Sequence, residues 1–236
     1  MDTTPVAPHS LQQTPDDEHL DRAFQSFVSY RFRLSDIDSH TVFGLIYTDM
    51  ALLDIVIAPH PVLRSPCQPV STFDSQLHKL LDNMYESMVA SNGIGLAAPQ
   101  VAVSQMVAVI DVSSDAVEQP KIMSLADIDP AQHIYDKRLE IINPKITQSK
   151  ERVSSEEGCL SIPDYRDTIS RFFTVTVEAQ DRYGRPFSAT AVDYLAFAVQ
   201  HEVDHLHGIL FVDHLSRLKK TLFKRWSMKN LGSDTV

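Results

Sequence analysis

The sequence predicts an α+β domain, and three observations carry that expectation. Phe73, Leu77, Leu80, Leu81, Met84 and Met88 recur at helical spacing until Asn92-Gly93 supplies a stop. Apolar or alternating runs at Val101 to Val112, Leu139 to Pro144 and Phe173 to Ala179 then read as strands. A further helix comes late, from about Asp193 to His207. Strands gathered ahead of that helix, rather than strict β-α-β alternation, point to α+β.

In chain order, residues 1–49 come first and differ from the rest. They hold eight acidic residues against three arginines and no lysine, with prolines and polar residues crowding positions 3–18. A transit peptide should be basic and poor in acids, so the segment reads as an acidic, poorly ordered extension. Met50 opens the patterned run Ala51 to Ile57 and is a candidate translation start. Residues 50–236 then read as a single domain. Within it, Ser113 to Lys137 is polar and irregular and is expected to be a loop. Asp181-Arg182-Tyr183-Gly184 is a hairpin turn into a strand at Pro186 to Ala191. Gly208 stands where a helix takes a left-handed terminating residue.

Composition excludes several classes. The chain has 236 residues, 43% of them hydrophobic, enough for a proper core. A formal net charge of −10 argues against DNA or other nucleic acid as a main partner, since phosphate binding needs a basic surface. Cys67 and Cys159 are the two cysteines, far apart and outside any Cys-x-x-Cys pattern, so a disulfide framework is not expected and a reducing, cytoplasmic location is the default. No apolar run approaches the roughly 20 residues that a membrane span needs.

The strongest chemical statement is His201-Glu202-Val203-Asp204-His205. Histidines four apart on a helix point the same way, one turn above the other, so one divalent metal can take both, with Glu202 beside them as a proton carrier. Tyr194, Phe197 and Ala198 fall on the same helical face as His201 and His205 and set an apolar pocket next to the metal. His207 is out of register and reads as a solvated residue, and Asp204 faces away and reads as a structural hydrogen-bonding group. A third ligand is needed. Downstream stand His207, Asp213 and His214, none at the spacing of common metalloproteases; upstream stands Cys159, in Glu157-Gly158-Cys159-Leu160-Ser161. A buried apolar role is the commoner fate of a free cysteine, and Cys67 is given that role.

Another segment bears on the choice. Gly93-Ile94-Gly95-Leu96-Ala97-Ala98-Pro99-Gln100 packs two glycines into a short span between a helix and a strand, so backbone can come close to something. A phosphate loop is the rival reading, weakened by the lack of a lysine or a Gly-x-Gly-x-x-Gly pattern.

Together, Gly93 to Gln100, Glu157 to Ser161 and Gln200 to His205 closely resemble the three signature motifs of the peptide deformylase family, in the same order. The similarity runs from about Met50 to Lys229 and takes in Ile162 to Arg166 and Phe211 to Ser216. It departs from the family in the acidic extension and in a somewhat long loop at Ser113 to Lys137.

The resemblance implies mixed or antiparallel sheets around a central metal-binding helix. It implies removal of the formyl group from N-formylmethionine on nascent polypeptides, with release of formate. Cys159, His201 and His205 would bind the metal, in this family usually Fe2+, with Zn2+, Ni2+ or Co2+ able to substitute. Cys159 would bind as a thiolate. Glu202 would pass a proton from water to the departing amine. The Gln100 amide and the Leu160 N–H would donate to the developing oxyanion, a contribution of roughly 3 kcal/mol per donor in comparable sites.

The substrate peptide would pair with the strand near Ile94 and Gly95, beside Gly158. The methionine side chain would enter the pocket walled by Tyr194, Phe197 and Ala198, and Arg166 would contact the peptide further along or serve as a surface residue. Arg217, Lys219, Lys220, Lys224, Arg225 and Lys229 form a basic C-terminal stretch, read either as a solvated amphipathic helix held by Leu218, Leu222, Phe223 and Trp226 or as a ribosome-docking element. A monomer is expected. Two rivals to the main reading are an ordinary His-Glu-x-x-His metallopeptidase, which would not need Cys159, and a catalytically silent metal-binding homologue.

Overall fold

The computed structural model describes residues 51–112 and 138–232, together with the backbone of two short strands between them. The expectations for residues 1–49, and the status of Met50 as a start, lie outside the described residues. Seven strands form one sheet: β1 (Gly95–Ala97), β2 (Val107–Ile110), β3 (Met123–Ser124), β4 (Ile134–Tyr135), β5 (Arg138–Cys159), β6 (Ile162–Gln180) and β7 (Pro186–Val192). Among the described residues, three α-helices accompany them: α1 (Ser75–Ala90), α2 (Tyr194–Leu206) and α3 (Arg217–Asn230). The sheet order is β1-β2-β5-β6-β7-β3, with β4 on β5, and every pairing of named strands is antiparallel. The α+β expectation holds, in its antiparallel form.

Helix α1 begins at Asp74, whose carboxylate accepts from the N–H groups of Gln76 and Leu77 at 3.0 and 3.1 Å. Leu81, Met84 and Met88 are fully buried and pack its inner face against Leu96, Val107 and Val109 of β1 and β2. Burying each such side chain stabilises the fold by about 1.5–3 kcal/mol. Phe73, grouped with this helix by spacing, precedes it and packs on the same cluster from outside. The chain then turns back through Asn92, at φ 54°, to reach β1.

Three expectations change. The strand expected over Val101 to Val112 is confined to Val107–Ile110. Residues Ala98–Val101 instead form a 3-10 turn that opens on Pro99 and closes through Ala102 in the left-handed region. Buried Ala98 and Val101 therefore mimic a strand's apolar content without its hydrogen bonds. The loop expected at Ser113 to Lys137 contains β3 and β4, paired with β7 and β5, and the rest of it lies outside the described residues. The strands expected at Leu139 to Pro144 and Phe173 to Ala179 are pieces of the much longer β5 and β6. The middle of β5 is exposed on both faces, so it has no apolar alternation to read, and register shifts near Ile142 and Gly158 break the period.

Helix α2 lies across the sheet at the centre of the largest core cluster. Leu195, Ala196, Val199, Val203 and Leu206 pack on Ile141, Val175, Val177, Ala189 and Ala191. Gln200 fastens it sideways: its amide nitrogen donates to the Phe172 carbonyl and its oxygen accepts from the Phe172 N–H, at 2.8 and 2.9 Å. The helix ends before Gly208, at φ 74°, where a Cβ would meet the Arg64 carbonyl oxygen at 2.6 Å.

Helix α3 is seated by Phe223, which is fully buried with Phe211 and Ile162, and by Tyr165, whose ring lies 4.7 Å from Phe223 and 4.8 Å from Trp226. Leu218 and Leu222 were expected on this seam but are 72% and 52% exposed, because they fall roughly 140° and 100° around the helix from Phe223, off its seated face. No helix among the described residues is long and apolar enough to cross a membrane.

Candidate active site

His201 and His205 project from α2 with their Nε2 atoms 3.2 Å apart, and the Cys159 sulfur lies 3.3 Å from His205 Nε2. The three donor atoms all fall within 4.8 Å of one another, a set that could hold one metal ion. Cys159 reaches them because it ends β5 at a register shift, just before the tight turn into β6. The downstream alternatives are engaged elsewhere. His207 contacts the Val203 carbonyl, Asp213 pairs with Arg64, and His214 contacts Asp204. Cys67 is buried, its N–H bonded to the Leu206 carbonyl.

The donor chemistry fits a divalent ion. His201 Nδ1 lies 2.9 Å from Glu157 Oε2, so the proton of the neutral ring, the form a ligand needs, belongs on that side and its Nε2 lone pair then faces the thiol and the second imidazole. Two imidazole nitrogens and a sulfur gathered this closely form a donor set in which one cation could take a lone pair from each. Burial pushes His205 well below the usual imidazole range, toward the neutral form a ligand needs. Burial acts the same way on His201, but Cys159 and Glu157 outweigh it and draw positive charge to the ring.

A buried ion-pair chain backs the histidines. Arg171 is 4% exposed and grips Glu157 with two hydrogen bonds, Nε to Oε1 at 2.8 Å and Nη2 to Oε2 at 3.1 Å. Its Nη1 donates to Asp204 Oδ2 at 2.6 Å, and His214 lies 2.7 Å from the same oxygen. Burial alone would raise the Glu157 carboxyl, yet the hydrogen bonds from His201 and Arg171 hold it at about 2. Asp204 thus faces away from the donors and has the structural role expected of it. The sequence reading missed Arg171 and gave Glu157 no role. The available signal was a charged residue at an inward position of β6, on the face of buried Ile169.

Glu202 and Gln100 complete the centre. Glu202 is 3% exposed, burial pushes its carboxyl up to about 7, and its Oε2 has no hydrogen-bond partner among the described residues. Gly95 lies against it so closely that an added Cβ would collide with the carboxylate. Gln100, 1% exposed, accepts from the Ala97 N–H through Oε1 at 2.8 Å. That bond turns Nε2 toward Cys159 Sγ at 3.5 Å and Ser161 Oγ at 3.3 Å.

These groups open on one cavity of about 740 Å³. Ile94 and Gly95 line it along β1, where Ile94 is 47% exposed and Gly95 begins the strand. Gly158, Leu160 and Arg166 line it along the β5–β6 hairpin, and Gly158 pairs with Arg166 so that the arginine stem lies over the glycine. Phe197 and Ala198 are buried in its wall, while Tyr194 is half-exposed, with its ring 6.0 Å from Phe197 and edge-on. The sequence reading did not include Ser155, which also lines the cavity.

This arrangement matches known proteins over most of its length. Residues 52–221 match the family model described as polypeptide deformylase. A peptide deformylase of Nautilia profundicola is 42% identical over 178 residues, 75% of this chain and 94% of that protein. One of Helicobacter pylori is 42% identical over 176 residues, 75% of this chain and 93% of that one. Among solved structures, a peptide deformylase from Legionella pneumophila shares 40% identity with a TM-score of 0.63, covering 77% of this chain and 98% of its own. One from Ehrlichia chaffeensis in complex with actinonin shares 34% identity with a TM-score of 0.65, covering 77% and 99%. With the matched region spanning all three motifs and the cavity they enclose, the chain belongs to the polypeptide deformylase family.

Proposed function

We propose that this cavity removes the formyl group from N-formylmethionine at the start of nascent polypeptides, adding water across the formamide and releasing formate and a free amine. The observation that carries the reading is the clustering of the Cys159, His201 and His205 donor atoms, with Cys159 and His201 lining one cavity together with Glu202 and Gln100. Cys159, His201 and His205 would hold the ion, which we take to be Fe2+, with Zn2+, Ni2+ or Co2+ able to substitute. When bound, the ion supplies Lewis acidity, lowering the pKa of water and polarising the formyl carbonyl.

The protein's own groups do the rest. Glu202 takes a proton from the attacking water and hands it to the departing amine, and its raised proton affinity suits a group that must both accept and give. The Gln100 amide, fixed by the Ala97 N–H, and the Leu160 N–H donate to the oxyanion. The peptide lies along Ile94 and Gly95, Gly158 and Arg166 face it from the hairpin, and the methionine side chain enters beside Tyr194, Phe197 and Ala198. An ordinary metallopeptidase would draw its third ligand from downstream, and the contacts of His207, Asp213 and His214 disfavour that.

We further propose that residues 50–236 are the single catalytic domain and 1–49 an acidic extension, and that the protein is a cytoplasmic monomer. The exposed basic residues Arg217, Arg225 and Lys229 on α3 favour a docking role at the ribosome, whose RNA is anionic.

The test is anaerobic purification, metal analysis and a formate-release assay on formyl-Met-Ala-Ser, with Glu202→Ala as control. Formate from wild type but not the variant is expected. An iron-loaded wild-type sample that releases none overturns the reading.

A further inference from the structure

His205 lacks the outer anchor that His201 has. Its Nδ1 is buried and meets no hydrogen-bond partner among the described residues, whereas His201 Nδ1 is oriented by Glu157. The placing of the second imidazole therefore depends on how the end of α2 is held, and the residue just before it, Asp204, carries that hold. Asp204 Oδ2 meets Arg171 Nη1 at 2.6 Å and His214 Nε2 at 2.7 Å. His214 comes from the 3-10 turn Phe211–His214, which is itself fixed: Phe211 and Val212 are buried, and Asp213 accepts from the Leu210 N–H and pairs with Arg64. Burial works to raise the Asp204 carboxyl, but hydrogen bonds from His214 and Arg171 outweigh it and keep it below the usual range. An ionised carboxylate only accepts, so His214 Nε2 carries a proton whichever charge the ring has. The 3.4 Å approach of Arg171 Nη1 to that nitrogen is then two donors meeting on one acceptor.

We propose that His214 is a positioning residue of the metal centre: its Nε2–H holds Asp204, and with it the end of α2 that presents His205. The inference rests on Cys159, His201 and His205 being the metal ligands, as the proposed function has them. Arg171 divides its guanidinium between Glu157 and Asp204, so His214 is the donor that serves Asp204 alone among the described residues. Groups outside the ligands tune affinity by fixing where the ligands stand. His214 touches no ligand and acts through Asp204. Its side chain is 34% exposed, so it can be replaced without opening the core.

The test is Zn2+ affinity of the full chain by chelator competition, at a temperature where circular dichroism shows every variant folded. Wild type is measured beside His214→Ala, His214→Leu, which keeps volume without a donor, and His214→Gln, whose amide N–H can reach the place of Nε2. The Ala and Leu variants should bind Zn2+ roughly threefold to tenfold more weakly, less than the 10–100-fold typical of losing a ligand's own partner. His214→Gln should stay within about twofold of wild type, because it keeps the hydrogen bond to Asp204. Wild-type affinity in His214→Leu, or a Gln variant as weak as the Leu one, overturns the proposal. A wild type that binds no Zn2+ would instead strike the metal centre itself. One that binds Zn2+ as expected but, loaded with iron, releases no formate from formyl-Met-Ala-Ser would strike the deformylase reading alone, so the failures are told apart.

Discussion

Glu157 Oε2 stands 2.9 Å from His201 Nδ1 while the same carboxylate takes two hydrogen bonds from Arg171, so the orientation of a metal-facing imidazole is set by a guanidinium on the far side of it. Arg171 also joins Asp204, one residue before His205 on α2. Both histidine positions are thus referred to a single buried cation.

Arg171→Met should separate these effects from ordinary packing. It leaves two carboxylates, Glu157 and Asp204, without the guanidinium that joins them, and breaking such a buried network costs about 3–5 kcal/mol. Loss of the group that orients a ligand's carboxylate lowers metal affinity by roughly 10–100-fold. Denaturant unfolding measures the first effect and chelator competition the second. A variant of wild-type stability and metal affinity would remove the network from any role in holding the site.

Gly95→Ala is expected to abolish most of the activity while sparing the fold. The new methyl group would occupy the space of the Glu202 carboxylate, and displacing a proton carrier by about 1 Å costs on the order of 100-fold in rate. Circular dichroism and thermal melting should match wild type, because Gly95 has a backbone conformation open to alanine and Glu202 is the neighbour that must move. Formate release close to wild type would mean that Glu202 has another position from which to act.

Much of this site was legible because its chemistry sits in short, local patterns. The pair His201 and His205 needs only helical spacing, and Gln100 and Cys159 stand in compact segments whose resemblance to a known family could be read directly. Arg171 and Ser155 were not legible in the same way. Each belongs to a strand whose face assignment depends on register, and register shifts along β5 move that assignment in a way no period-2 count follows. The exposed Leu218 and Leu222 misled for a related reason: two leucines four apart define a helical face, but only Phe223 and the aromatic contacts of Tyr165 decide which face the body receives.

The link between β6 and α3 has a pH signature. Lys219 Nζ donates to Asp167 Oδ1 at 2.6 Å and to the Thr168 carbonyl at 2.8 Å. Burial works to raise the Asp167 carboxyl, but the hydrogen bonds from Lys219, the Thr168 N–H and Tyr165 outweigh it and hold it below the usual range. A depressed folded-state pKa gives stability that is present above the unfolded value, about 3.9, and is lost as pH falls through the folded one. Lys219→Met should therefore be less stable than wild type by about 0.2–1 kcal/mol at neutral pH. The gap should close in urea titrations taken below about pH 4. A gap that persists in acid would assign the effect to packing of the lysine stem instead.

Docking of α3 on an anionic surface is testable without disturbing the fold, because the basic side chains and the seating residues occupy different faces. Arg217, Arg225 and Lys229 are exposed, while Phe223 and Ser227 are buried. Reversing the three charges to glutamate changes the helix's charge by about six units but removes no buried contact, so melting and formate release on a short peptide should stay near wild type. Cosedimentation with ribosomes should fall by at least about tenfold at low salt, and wild-type binding should itself weaken steeply as salt rises, since each phosphate contact releases counterions. Equal cosedimentation of the two proteins at every salt concentration would leave α3 as a solvated helix that closes the hydrophobic core through Phe223 and does nothing more.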